Sequence, residues 1–71
     1  MYRIVVAADG RVLAIEVKLA GTVDDRDVRS LRWLAVQLGD RLLNAIVINA
    51  GPAAYRRSDG IGVVPLGLLA P

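Results

Sequence analysis

Hydrophobic residues fall in blocks whose spacing changes along the chain. Tyr2 to Ala8 and Arg11 to Lys18 are short runs rich in Ile, Val and Leu, separated by Asp9-Gly10. Two β-prone runs around an Asp-Gly pair predict a hairpin on a type I′ turn, because Gly accepts positive φ freely and Asp nearly so. A two-residue turn also sets the register. Ala8 then faces Arg11, Val6 faces Leu13, Ile4 faces Ile15, and Arg3 faces Glu16. Tyr2 is expected to pack on this hairpin.

Leu19-Ala20-Gly21-Thr22 interrupts the pattern, and the period then changes. Val28, Leu31, Leu34, Ala35 and Leu38 recur at three- and four-residue spacing, which predicts a helix with one apolar stripe. Thr22 or Asp24 is expected to cap it, with Asp24, Asp25 and Asp27 in the first turn near the positive end of the macrodipole. Arg26, Arg29 and Arg32 lie off the stripe, and Asp25-Arg29 has the spacing of an i,i+4 ion pair. Trp33 beside the stripe reads as core or as an oligomer anchor. Gly39 is a suitable C′ residue.

Ala45 to Asn49 is apolar without alternation until its final Asn, the pattern of a strand buried on both faces. Strand, helix and buried strand form a crossover, so the flanking strands are expected to be parallel. Gly51-Pro52 opens a loop running to Asp59-Gly60. A last strand, Ile61 to Val64, stops at Pro65, and Leu66 to Pro71 has room for one helical turn at most. The expected fold is α/β, a small mixed sheet with element order β-β-α-β-β over a single domain, residues 1–71. One helix cannot cover both faces of four strands. One face is left bare.

Composition sharpens this picture in three ways. Hydrophobic residues make up 55% of 71, which is high for a small soluble monomer and points to a partner surface. Cysteine and histidine are both absent, excluding disulfide staples, thiolate zinc sites and imidazole bases, and leaving Ser58 with no histidine to activate it. The formal charge of +2 would not by itself hold the chain on nucleic acid. No apolar run approaches the ~20 residues of a membrane span. A cytoplasmic protein without a membrane partner is expected. Gly60-Ile61-Gly62 begins like a dinucleotide fingerprint but runs into Pro65 instead of a third glycine and a helix, and carries no weight.

Glu16-Val17-Lys18 holds the chain's only glutamate and only lysine, two residues apart and thus on one strand face. Burying such charges costs several kcal/mol per ion (an order-of-magnitude figure) unless they pair or bind something. A plain account is an edge-strand ion pair or a solvated face. The other is the E-x-K half of a phosphodiesterase site, in which Glu16 binds Mg²⁺ and Lys18 orients water or stabilises charge on phosphate.

The hairpin, the stretch GRVLAIEVKLAGTV, the acidic helix start, NAIVINAG and GVVPLGLL together resemble a domain of unknown function. It follows the ATPase domain in many prokaryotic AAA-type ATP-binding proteins, and is itself similar to the PD-(D/E)XK, restriction-endonuclease-like, superfamily. The resemblance covers nearly all of this chain but only the C-terminal portion of that domain. It implies a partial nuclease-like domain whose metal site would need an Asp on the preceding strand beside Glu16 and Lys18. The hairpin register puts Arg3 at that place, and an arginine cannot ligate Mg²⁺. Asp9 lies at the turn, and Asp24 or Asp25 could approach only if the helix start folds back.

Arg56 and Arg57 beside Tyr55, in a Gly/Pro-bounded loop, are the candidate nucleic-acid contacts, since guanidinium and aromatic groups can neutralise phosphate and stack together. The expected function is that of a catalytically incomplete nuclease-like remnant. It would act as an oligomerisation or DNA-binding module, as a homo-oligomer or against an upstream ATPase domain. The alternatives are a Mg²⁺- or Mn²⁺-dependent DNA nuclease completed by a carboxylate from another chain, and a purely structural oligomerisation domain.

Overall fold

The computed structural model describes residues 2–69, with the backbone alone described at Tyr2. The Tyr2 side chain, expected on the hairpin, and residues 70–71 of the expected terminal turn lie outside it. The hairpin forms as β1 (Tyr2–Ala8) and β2 (Arg11–Val17). Asp9 at φ 55° and Gly10 at φ 77° supply the two left-handed residues of the turn. The register is the one read from the sequence, from Ala8 against Arg11 to Arg3 against Glu16.

The helix α1 (Arg29–Leu38) begins later than expected. Neither Thr22 nor Asp24 caps it; Val28 precedes it without a side-chain cap. Asp24 and Asp27 instead close the turn before it. The Asp27 N–H donates to Asp24 Oδ1 at 3.1 Å, and the Asp24 N–H donates to Asp27 Oδ2 at 2.8 Å. This reciprocal bonding satisfies the donors that a helix start would otherwise leave free. Residues 25–28 form a turn that runs directly into α1. Gly39, at φ 53°, ends the helix, and its N–H bonds to the Ala35 carbonyl.

A 3₁₀ turn (Gly39–Arg41) leads into β3 (Leu42–Asn49), which runs parallel to β2. The β2–β3 register shifts between Val12 and Leu13, leaving Leu43 unpaired and exposed. The loop expected after Gly51-Pro52 contains a further short strand, β4 (Tyr55–Arg56), antiparallel to β5 (Gly62–Pro65). A 3₁₀ turn at Leu66–Leu68 follows. Among the described residues the sheet therefore has five strands, in the order β1-β2-β3-β5-β4, with α1 on one side.

Ala14, Val28, Leu31, Ala45, Val47 and Ile61 form the core between α1 and the sheet. β3 is buried on one face only: Ala45, Val47 and Asn49 are buried, whereas Asn44, Ile46 and Ile48 are half-buried. The expectation of two buried faces fails because no second layer lies over the far side. Trp33 is not core either; it is 60% exposed.

Candidate functional site

The far end of β2 carries the two charges singled out by sequence. Strand alternation turns Glu16 toward α1 with Val12 and Ala14, and Glu16 is only 3% exposed. Its Oε1 accepts from Ser30 Oγ at 2.6 Å and from Arg3 Nε at 3.2 Å. Arg3 reaches it directly across the hairpin, and Ser30 comes from the first turn of α1. The other oxygen, Oε2, is buried and has no hydrogen-bond partner among the described residues.

Lys18 lies just past β2 but stays in the ladder, its N–H donating to the Ile48 carbonyl at 2.9 Å. Its Nζ pairs with Asp27 Oδ2. The turn before α1 folds back to the strand end and brings Asp27, not Asp24 or Asp25, to Lys18. The hydrogen bond from Lys18, and then the one from the Asp24 N–H, hold the Asp27 carboxyl below its ordinary range. Asp25 points elsewhere, to Arg57, so the expected Asp25–Arg29 pair is replaced by a contact between distant segments.

A divalent cation of the Mg²⁺ type wants about six oxygen ligands, several from carboxylates. At Glu16 one oxygen is taken by a guanidinium and a hydroxyl, and Asp27, in the turn before α1, is held by Lys18. Among the described residues no group of three His, Cys, Asp or Glu side chains is arranged so that it could hold a metal ion. The residues present do not fit such an ion. What they do form is an ordered row of charge pairs that ties β1, β2 and the start of α1 together.

The second candidate group is divided by the sheet. Tyr55 pairs with Val63 and so shares the α1 side, whereas Arg56 pairs with Gly62 and shares the far side. Arg56 Nη1 donates to Asn44 Oδ1 at 2.8 Å and to the Gly60 carbonyl at 3.0 Å. Arg57 is mostly buried, donating to Asp25 Oδ1 at 2.5 Å and to Asp59 at 3.3 Å. The bond to Asp25 first, and that to Asp59 as well, hold its guanidinium above the ordinary arginine range. Arg57 is thus internally neutralised, and Arg56 and Tyr55 do not form one stacking platform.

Sequence reading missed Ser30, Asp27 and Asp59 as partners of the named charges. Only Asp27 left a signal, the Asp24-x-x-Asp27 spacing of a reciprocal cap. Trp33 stands between two clefts over α1: one of about 540 Å³ reaches Asp25, Arg32 and Asp59, and one of about 440 Å³ reaches Arg3, Arg26 and Ser30.

These features define a small mixed-sheet α/β domain whose E-x-K charges are paired within the chain. Residues 4–69 match the family Domain of unknown function (DUF4143), and the chain belongs to it. That family is found in the C-terminal regions of AAA-type ATPases. No curated protein and no solved structure matches the chain. No helix among the described residues is long and apolar enough to cross a membrane.

Proposed function

We propose that this domain is a catalytically incomplete, nuclease-like remnant that works as an association module, packing its uncovered sheet face against the same face of a second copy. The observation that carries the reading is that face. Ile4 and Val6 of β1 are 42% and 51% exposed, and Leu13, Ile15, Ile46, Ile48 and Val64 continue the surface half-buried. Four strands at ~4.8 Å spacing and ~20 Å of length give roughly 400 Å² of projected area, the size at which an apolar patch marks an interface. Face-to-face packing of two such sheets, ~10 Å apart, makes a sandwich with an apolar centre. Catalytic incompleteness is supported by the Arg3 guanidinium on Glu16.

Sedimentation velocity tests it. The 7.6 kDa chain should gain mass with concentration up to about 100 µM. Ile15→Asp and Ile46→Asp place charge in the middle of the face and should weaken association at least tenfold. A wild-type chain that stays monomeric, or variants that associate unchanged, would refute the reading.

A second reading, a Mg²⁺- or Mn²⁺-dependent DNA nuclease completed by another chain's carboxylate, draws on Glu16 Oε2, buried without a hydrogen-bond partner among the described residues. Stoichiometric Mn²⁺ binding that disappears in Glu16→Gln would favour it. Salt-dependent DNA affinity lost in Arg56→Ala would instead favour a nucleic-acid module.

A further inference from the structure

The sheet has an open rim that the face-to-face contact does not use. Among the described residues β1 is the outermost strand, and Arg3 to Ala8 are all exposed, including Val5 at 53% on the α1 side. Proteins guard such edges with lysine, proline, bulges or short strands. β1 has none of these: it runs seven residues in unbroken register with no proline, and its one charge, Arg3, is bonded to Glu16. The opposite rim, β4, is two residues long.

The hairpin also decides which backbone groups point outward. A two-residue turn closes on a hydrogen-bonded pair, here Ala8 with Arg11, and such pairs alternate with non-bonded ones along the ladder. Ala7–Val12, Val5–Ala14 and Arg3–Glu16 are then the non-bonded pairs. The N–H and C=O groups of Arg3, Val5 and Ala7 therefore face away from β2, and an added strand must match that set.

We infer that a second copy of this chain adds to the β1 edge in antiparallel register about a two-fold axis at Val5, joining the two sheets into one. This register pairs Val5 with its own counterpart and Arg3 with the partner's Ala7, forming about six hydrogen bonds from all three outward-facing residues. It keeps the two Arg3 side chains at opposite ends of the contact. Ile4 falls against the partner's Val6, so the far apolar face runs on unbroken across the join. On the other side, Arg3 and Trp33 line one cleft between β1 and α1. The symmetry sets the two Trp33-bearing clefts on either side of the Val5 pair, with both helices on one surface. The pairing shares the association reading above but uses the edge instead of the face, so the two contacts separate by mutation.

Val5→Lys and Val5→Glu each set like charges across the axis and should reduce the assembled mass by half. Mixing the two variants in equal amounts should restore it, a rescue that misfolded chains would not give. In the wild-type chain, amide exchange at Arg3, Val5 and Ala7 should slow as concentration rises, while Ile4 and Val6 stay protected at every concentration. Val5 variants that assemble like wild type, or outward amides that exchange freely in the assembled protein, overturn the inference. If Ile15→Asp lowers the mass and the Val5 pair does not, the edge contact fails and the face contact stands. The reverse result sinks the face contact alone.

Discussion

Replacing Glu16 by Met should leave the domain as stable or more so, whereas replacing Arg3 by Met should destabilise it. Glu16 is 3% exposed, and its carboxylate has two hydrogen bonds, both on one oxygen. Taking a carboxylate that far out of water costs several kcal/mol (an order-of-magnitude figure), which a single pair with a part-exposed arginine offsets incompletely. Met keeps the length and flexibility of the side chain and removes the charge, so Glu16→Met should change stability by between about 0 and +2 kcal/mol. Arg3→Met strands the carboxylate with only Ser30. Breaking a fully buried pair costs about 3–5 kcal/mol; the Arg3 side chain is 38% exposed, and solvent screening lowers the expected loss to about 1–3 kcal/mol. In a domain this small, 1 kcal/mol moves the melting temperature by about 4–8 °C, so the variants, about 3 kcal/mol apart at the centres of their ranges, should separate by roughly 12–24 °C. Urea and thermal unfolding at one fixed chain concentration would measure this, since association adds its own stabilisation. In the Glu16→Met background, Arg3→Met should be close to neutral. A Glu16→Met loss as large as that of Arg3→Met would refute the reasoning, because the carboxylate would then be a net source of stability.

Three further outcomes follow from named contacts. The folded Asp27 carboxyl titrates below its unfolded value, so its contribution is fully present above about pH 4 and is lost as pH falls through the depressed folded value. Asp27→Asn should flatten the acid limb of the stability profile; parallel limbs would count against the Lys18 pair. A Cβ at Gly51 would lie 2.7 Å from the Gly21 carbonyl oxygen, a backbone atom that cannot swing aside, so Gly51→Ala should cost about 2 kcal/mol in urea unfolding. Gly21→Ala, whose Cβ meets nothing within 4 Å, should be tolerated. Leu31 is fully buried in the centre of the core, and Leu31→Ala should cost about 3–5 kcal/mol, a loss that an exposed residue such as Val36 would not show.

What the sequence determined by itself is what short-range chemistry controls. Asp9-Gly10 specifies the turn, the turn specifies the register, and the register sets Arg3 against Glu16, because each step spans only a few bonds. Gly39 ends the helix, and the crossover makes β2 and β3 parallel, for equally local or chiral reasons. The resemblance to a domain of unknown function found behind AAA-type ATPase domains was legible in the same blocks; the PD-(D/E)XK likeness is not shown by the family match. The tertiary structure decided who meets whom across the layers. Which of Asp24, Asp25 and Asp27 reaches Lys18 depends on how the turn before α1 closes, and there Asp24 and Asp27 bond to each other while Asp27 also takes Lys18. Ser30 finds Glu16, and Asp25 finds Arg57, only once Val28 and Leu31 have chosen the buried side of the helix. Arg57 reads as a free contact residue in the chain although Asp59 stands two residues on, and nothing local reveals that Asp25, 32 residues away, pairs with it as well. Side-chain pairing between elements follows from packing geometry, and packing geometry is a property of the whole chain.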